Sequence, residues 1–337
     1  MNIEANDKKR AYFALIIGIF AISTSAILIR WSSSEPLVIG SYRQTFATLL
    51  FLPFLIKDKF QEITSLKYDE IIELIVIGLL LGAHFGFWIS SVKATSVAAS
   101  VLLGTCHIVY VSIIGWLVFG ERLNRKGIFG TLFALSGIIL LFWGDLVEDP
   151  GNFKGNILAF ISGILAGLYY LGGRKHRKNI SLPTYAFIVY LSSALAMWIV
   201  VLLQGLEYQK IPNSEFQLFL LMALVPTLLG HTMQNWALAF LPAYVISITL
   251  LVEPIGSGLL AWLIFDEIPS FGVLFGGIIA GSAPSSTTKP STGSALLLRL
   301  RAIVPTTIRT PKPNEAISGK LLLKSSITPA TKLSSIT

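Results

Sequence analysis

Glu253 is a carboxylate in the middle of an apolar run. The run, Leu241 to Glu267 (LPAYVISITLLVEPIGSGLLAWLIFDE), is long enough to cross a bilayer as a helix, and Pro254 follows the carboxylate directly. A charge at the centre of a bilayer costs about 2.5 to 3.5 kcal/mol on insertion scales, so such a group must face a wet cavity or a partner. Burial and pairing would move its protonation in opposite directions, the first suiting a proton carrier and the second a structural ion pair. Pro254 breaks the backbone ladder and Gly256-Ser257-Gly258 loosens the next turn, which puts the carboxylate at a bend. Arg43 is the matching counter-charge. It lies about 12 Å below the Glu35–Pro36 start of its own apolar run, and its permanently charged fork suits carboxylates and phosphates. Substrate binding, gating and simple bundle-holding are all open to it.

His84 and Trp88 fall one helical turn apart in the third apolar run, His107 and Tyr110 share a face of the fourth, and His231, Gln234 and Asn235 share a face of the eighth. A membrane histidine is commonly no more than a hydrogen-bonded helix contact. Three of the chain's four histidines at depth, beside Trp88, Tyr110 and Trp236, favour a cavity lined by aromatic and hydrogen-bonding groups, suited to an amphipathic or zwitterionic solute. The candidate substrate-binding set is therefore Arg43, His84, Trp88, His107, Tyr110, His231, Gln234, Asn235 and Glu253, with Glu253 also the candidate for proton coupling. No catalytic set is readable. The chain has no His-Glu-x-x-His, no glycine loop before Lys-Ser/Thr and no cysteine pair, so neither a metal nor a cofactor is expected. Cys106 reads as a small buried residue, and Gly78-x3-Gly82-x3-Gly86 as helix packing.

The elements that carry these groups are membrane helices. Of 337 residues, 53% are hydrophobic and 13% charged, about half the charge of a soluble domain. The net charge of +8 does not indicate nucleic acid, because residues 282–337 hold eight Lys/Arg against one Glu. Apolar runs fall near 11–29, 36–56, 70–92, 96–119, 127–144, 155–173, 182–204, 216–240 and 243–265, with a tenth starting at about 269. With the N-terminus inside, inside segments hold thirteen basic residues before the tail and outside segments four: Arg30, Lys93, Lys154 and Lys210. Both termini are therefore expected in the cytoplasm of a multi-pass cell-membrane protein.

The chain also repeats. Setting Glu121 against Glu267 aligns Trp116 with Trp262 and His107 with Glu253, so Ala94–Glu121 (ATSVAASVLLGTCHIVYVSIIGWLVFGE) is an earlier copy of the same unit. Five spans per copy, an odd number, force the second copy through the membrane upside down, as in many secondary transporters. The expected fold is an all-α integral membrane protein, a ten-helix bundle built as an inverted repeat. Its parts are a cytoplasmic N-terminus (1–10), a first five-helix repeat (11–144), a second (155–281) and a tail (282–337) rich in Ser, Thr, Pro and Lys, without fixed structure. The tenth run breaks at Gly281 after about thirteen residues, too few to cross about 30 Å of hydrocarbon. That break reads as a truncated helix with a replaced end, against the alternative of a native tail touching anionic lipid.

The doubled unit, together with Pro36 and Arg43 in the second span, resembles the EamA-type branch of the drug/metabolite transporter superfamily over residues 11–281. The resemblance implies a ten-helix inverted-repeat carrier with a central cavity that moves small metabolites. Two departures stand out: the proline kept as Pro254 is Ile108 in the first copy, and the last helix is short. The leading expectation is a secondary transporter of a small organic metabolite working by alternating access. Its partners are that solute and the lipid bilayer, not nucleic acid, with a homodimer left open. The alternatives are a non-transporting scaffold or receptor, and an intramembrane enzyme using His and Glu.

Overall fold

In hydrocarbon the backbone has no partner but itself, so apolar runs of this length close into helices. In the computed structural model of the chain, the described residues are 3–58, 60–119 and 152–268, with positions 128, 129, 132, 135 and 136 between them. Their regular structure is helical, with no strand among them. Apart from those isolated positions, the fifth run, Glu121, the tenth run with its expected truncation, and the tail lie outside the described residues. Among the described residues, seven stretches are long and apolar enough to cross a membrane: Asn6–Trp31, Tyr68–Ala94, Val97–Phe119, Phe153–His176, Leu182–Leu203, Asn213–Ala237 and Ala243–Phe265. Their outer faces are as apolar as their inner ones. Phe20 is 73% exposed and Leu203 82% exposed, which is the pattern of a surface solvated by lipid.

In chain order the elements are α1 (Ile3–Ser23), α2 (Ser25–Trp31), α3 (Pro36–Asp58), the short α4 (Phe60–Ser65), α5 (Tyr68–Ala94), α6 (Val97–Gly104), a 3-10 turn (Thr105–His107) and α7 (Ile108–Phe119). The second half contains α8 (Phe153–His176), α9 (Leu182–Leu203), α10 (Asn213–Met222), a π-helical segment (Ala223–His231), α11 (Thr232–Ala237), α12 (Ala243–Leu250) and α13 (Glu253–Phe265). Contacts between them fix their directions. Glu73 meets Lys175 while Ala94 meets Gly155, so α5 and α8 are antiparallel. Gly40 meets Met197 while Phe51 meets Tyr190, so α3 and α9 are antiparallel too. Glycine makes the closest of these approaches possible. A Cβ on Gly78 would lie 2.5 Å from Ser192 Cβ and 2.6 Å from Val189 O, so the spacing of small residues on α5 is used for packing against α9.

The bundle has two ends, here called the Ser32 end and the Ser181 end. At the Ser32 end, Glu215 at the start of α10 accepts hydrogen bonds from Ser32 Oγ, Ser33 N (2.8 Å), Ser33 Oγ (3.0 Å) and Ser34 Oγ (2.9 Å). Glu267 pairs there with Arg30 (3.1 Å) and accepts from Val97 N (3.0 Å), capping the first turn of α6. At the Ser181 end, Glu62 of α4 accepts from Ser181 N (2.8 Å), Ser181 Oγ and Thr184 Oγ1 (2.7 Å), capping α9. Arg174 donates to Leu238 O (2.9 Å) and Arg177 to Asn235 O (3.0 Å), closing the carbonyl end of α11. Burial lowers the pKa of Arg177 from the ordinary guanidinium value.

Helices α1–α2, α5, α9 and α12–α13 run from the Ser181 end to the Ser32 end. Helices α3, α6–α7, α8 and α10–α11 run the other way.

Candidate functional site

Between the ends, helices break where the polar residues lie. Thr24 separates α1 from α2, with Ser23 Oγ and Thr24 Oγ1 turned back onto Ile19 O (2.8 Å) and Ala21 O (2.7 Å). The π segment contains Pro226, and its wider turns are used by side chains. Thr227 Oγ1 reaches Met222 O (2.9 Å) and Thr232 Oγ1 reaches Thr227 O (3.1 Å), each five residues back. In the fourth membrane run the break is the 3-10 turn Thr105–His107, and in the ninth it is the turn at Leu251–Val252 just before Glu253. These two breaks occupy equivalent positions of the repeated unit, 146 residues apart. Only the second has a proline, so the break does not depend on it.

The breaks surround a cavity of about 40 Å³, room for a few water molecules. His84 and Trp88 of α5, His107 of the 3-10 turn, His231 of the π segment and Glu253 of α13 all line it. Five of the nine residues singled out in the sequence therefore meet in one space, drawn from both halves of the chain. His84 Nδ1 lies 2.9 Å from Ser162 O, and its ring stacks on Trp88 at 6.3 Å between centroids. His107 Nδ1 lies 3.1 Å from Gly104 O, while its Nε2 is buried without a hydrogen-bond partner, as is Nδ1 of His231. No described side chain donates to the Glu253 carboxylate.

Arg43 stands one step behind the wall. It is wholly buried, with Nε donating to Thr227 Oγ1 (2.7 Å), Nη1 donating to Ser25 Oγ (3.0 Å) and its guanidinium carbon 4.3 Å from the centre of the Phe85 ring. Ser25 lines the cavity, so the arginine is joined to Glu253's space through a hydroxyl and through its electrostatic field, with no ion pair between the two. One guanidinium thus ties α3 to α2 and to the π segment.

The remaining three residues are turned elsewhere. Tyr110 packs on α8, its hydroxyl 2.6 Å from Gly163 O and its ring filling the space a side chain at Gly167 would need. Asn235 exchanges hydrogen bonds with Tyr169 (2.8 and 2.5 Å) inside the helix interface. Gln234 accepts from Tyr170 Oη (2.6 Å) and so stands directly behind the lining. Tyr170 itself lines the cavity, as do Ser25 and Thr105. A tyrosine in an apolar run and a hydroxyl beside a helix break were the available signals for these. Cys106 is buried and its thiol lies 3.6 Å from Phe160 O.

The EamA-like transporter family model matches this chain twice, over residues 9–143 and 153–283. An uncharacterized transporter of Bacillus subtilis (strain 168), YdfC, is 20% identical over 270 residues, covering 79% of this chain and 86% of the relative. An uncharacterized transporter of Archaeoglobus fulgidus is 23% identical over 287 residues, covering 84% and 98%. A solved crystal structure superposes with a TM-score of 0.61 at 16% identity, over 81% of this chain and 95% of the other, a likeness of fold. Matched in both halves, and built of multiple membrane helices, the chain belongs to the EamA-like transporter family.

Proposed function

We propose that the protein is a secondary transporter that moves a small organic metabolite, amphipathic or zwitterionic, by alternating access. Two five-helix repeats of opposite orientation rock about the cavity. The observation that carries this reading is the cavity itself: it is lined by both halves and placed at the helix breaks, between bundle ends that are joined by bonds crossing between the halves. The running directions support the inverted arrangement. Helices α1–α2, α3, α5 and α6–α7 each run opposite to α8, α9, α10–α11 and α12–α13, their counterparts by order. Glu253 is the titratable group for proton coupling, being a carboxylate in the cavity at a helix break where a change of charge meets a movable joint. The Ser181 end, which carries Arg174, Lys175, Arg177 and Lys178, faces the cytoplasm in the cell membrane.

Counterflow in vesicles reconstituted with the full chain tests this reading. Preloaded unlabelled amino acids or amphipathic amines should drive uptake of the labelled solute. A folded protein that exchanges nothing across such a panel would leave a membrane scaffold as the remaining reading.

A further inference from the structure

The free polar atoms of the cavity are mostly acceptors. A carbonyl oxygen only accepts, so the bonds to Ser162 O and Gly104 O put the hydrogens of His84 and His107 on Nδ1 and leave a lone pair on each Nε2. Thr105 spends its hydroxyl hydrogen on Leu102 O (2.7 Å), and Tyr170 spends its own on Gln234. Glu253 adds a carboxylate. Against these five acceptors stand three donors: the Trp88 indole N–H, the Ser25 hydroxyl, which already accepts from Arg43, and one N–H of His231. A buried acceptor without a donor, such as His107 Nε2, is costly and points to an occupant.

We propose that this cavity recognises a primary ammonium group, that of a small amine or amino acid, with Glu253 as its counter-charge. The proposal rests on the transport reading only in taking the cavity for the substrate site. A primary ammonium carries three N–H donors, a positive charge and no acceptor, the complement of what the walls offer. The stacked Trp88 and the Tyr170 ring supply faces that attract a cation. Carboxylates and phosphates meet lone pairs instead, because Arg43 does not line the cavity: its Nε and Nη1 are spent on Thr227 and Ser25, and its Nη2, though without a partner, is buried behind the wall. The same groups do not suit a metal ion, since among the described residues no three His, Cys, Asp or Glu side chains converge to hold one. The cavity takes the head group. The rest of the substrate takes the space beside Ile22, Val101 and Leu250 that opens as one end parts.

Calorimetric titration of the full chain in nanodiscs with three probes decides the point: phenethylamine, its N,N,N-trimethyl counterpart and 3-phenylpropionate. The amine should bind about tenfold or more tighter than either of the others, a difference of about 1.4 kcal/mol. Glu253→Gln should weaken amine binding about tenfold or more, leaving a residual that can still be titrated, and Thr105→Val, close to isosteric, should weaken it several-fold. Equal binding of the trimethyl compound would mean that charge alone is read and would overturn the proposal, as would tighter binding of the carboxylate. The probe series on the unaltered chain stands even if a variant fails to fold. Counterflow of other solutes without amine binding would sink the ammonium assignment and leave transport standing. Amine binding without counterflow of any solute would do the reverse.

Discussion

His107 and Glu253 stand 146 residues apart, at equivalent points of the repeated unit, and line one cavity from two helices interrupted at that point. The pair shows what the two copies share and where they diverge. The break is common to both, while the group presented at it is an acceptor nitrogen in one and a carboxylate in the other. The copies thus frame a single asymmetric site, which bears on every expected outcome below.

Glu253→Gln should flatten the pH profile of amine binding and of flux. In the unaltered protein, binding falls as pH drops through the titration of Glu253, because protonation removes the counter-charge of the ammonium group. His84, His107, His231 and Tyr170 face the same space and Arg43 acts on it through Ser25. A pH profile that persists in the Gln variant would assign the response to one of the histidines.

Arg43→Lys keeps the charge but cannot hold both Thr227 and Ser25 in the geometry of the fork. Thermal unfolding in nanodiscs should move down, with a loss of about 1 to 3 kcal/mol from the buried partners left unsatisfied. An unchanged midpoint would show that the arginine does not hold the π segment in place.

Gly167→Ala should be strongly destabilising, since its Cβ would fall within 2.6 Å of the Tyr110 ring. Tyr110→Leu in the same chain should recover much of the loss by vacating that space. A double variant no better than the single would place the strain elsewhere.

The carboxylate clusters at the two ends should act as separate latches. In a Cys106→Ala background with Ser25→Cys as reporter, Glu215→Ala should raise labelling by a thiol reagent added at the Ser32 side. Glu62→Ala should raise it from the Ser181 side. The same response from both sides in both variants would dismiss the idea of independent closures.

Cysteines placed at Lys178 and Lys210 should label from opposite sides of intact cells, the Lys210 position from outside. Labelling of Lys178 from outside, with Lys210 protected, would invert the orientation.

Much of the fold was legible in the sequence because crossing hydrocarbon imposes length and composition directly. The run read at 243–265 coincides with the two helices from Ala243 to Phe265. The breaks were less legible. Pro226 lies within a π segment and Thr24 at a joint, and both breaks depend on side chains bonding back to the backbone, which hydropathy does not register. Among the site residues, spacing correctly gathered His84 with Trp88 but not Tyr110 with His107. Helical period says which residues share a face and not which neighbour that face meets. Tyr110 meets a glycine of α8, Gly167, and is drawn into the contact. Tyr170, unremarked in an apolar run, takes its place on the wall.

Glu62, Glu73, Glu215 and Glu267 have one thing in common: each finds its described partners in the other half of the chain. A half expressed alone would lose these crossed bonds and leave its carboxylates and helix ends short of the partners they have in the whole chain. The halves are therefore obligate complements in the way the two strands of a zip are. Two separate chains, 1–144 and 145–337, made in the same cell should reassemble through these crossed bonds, whereas either one made alone should be cleared by proteolysis.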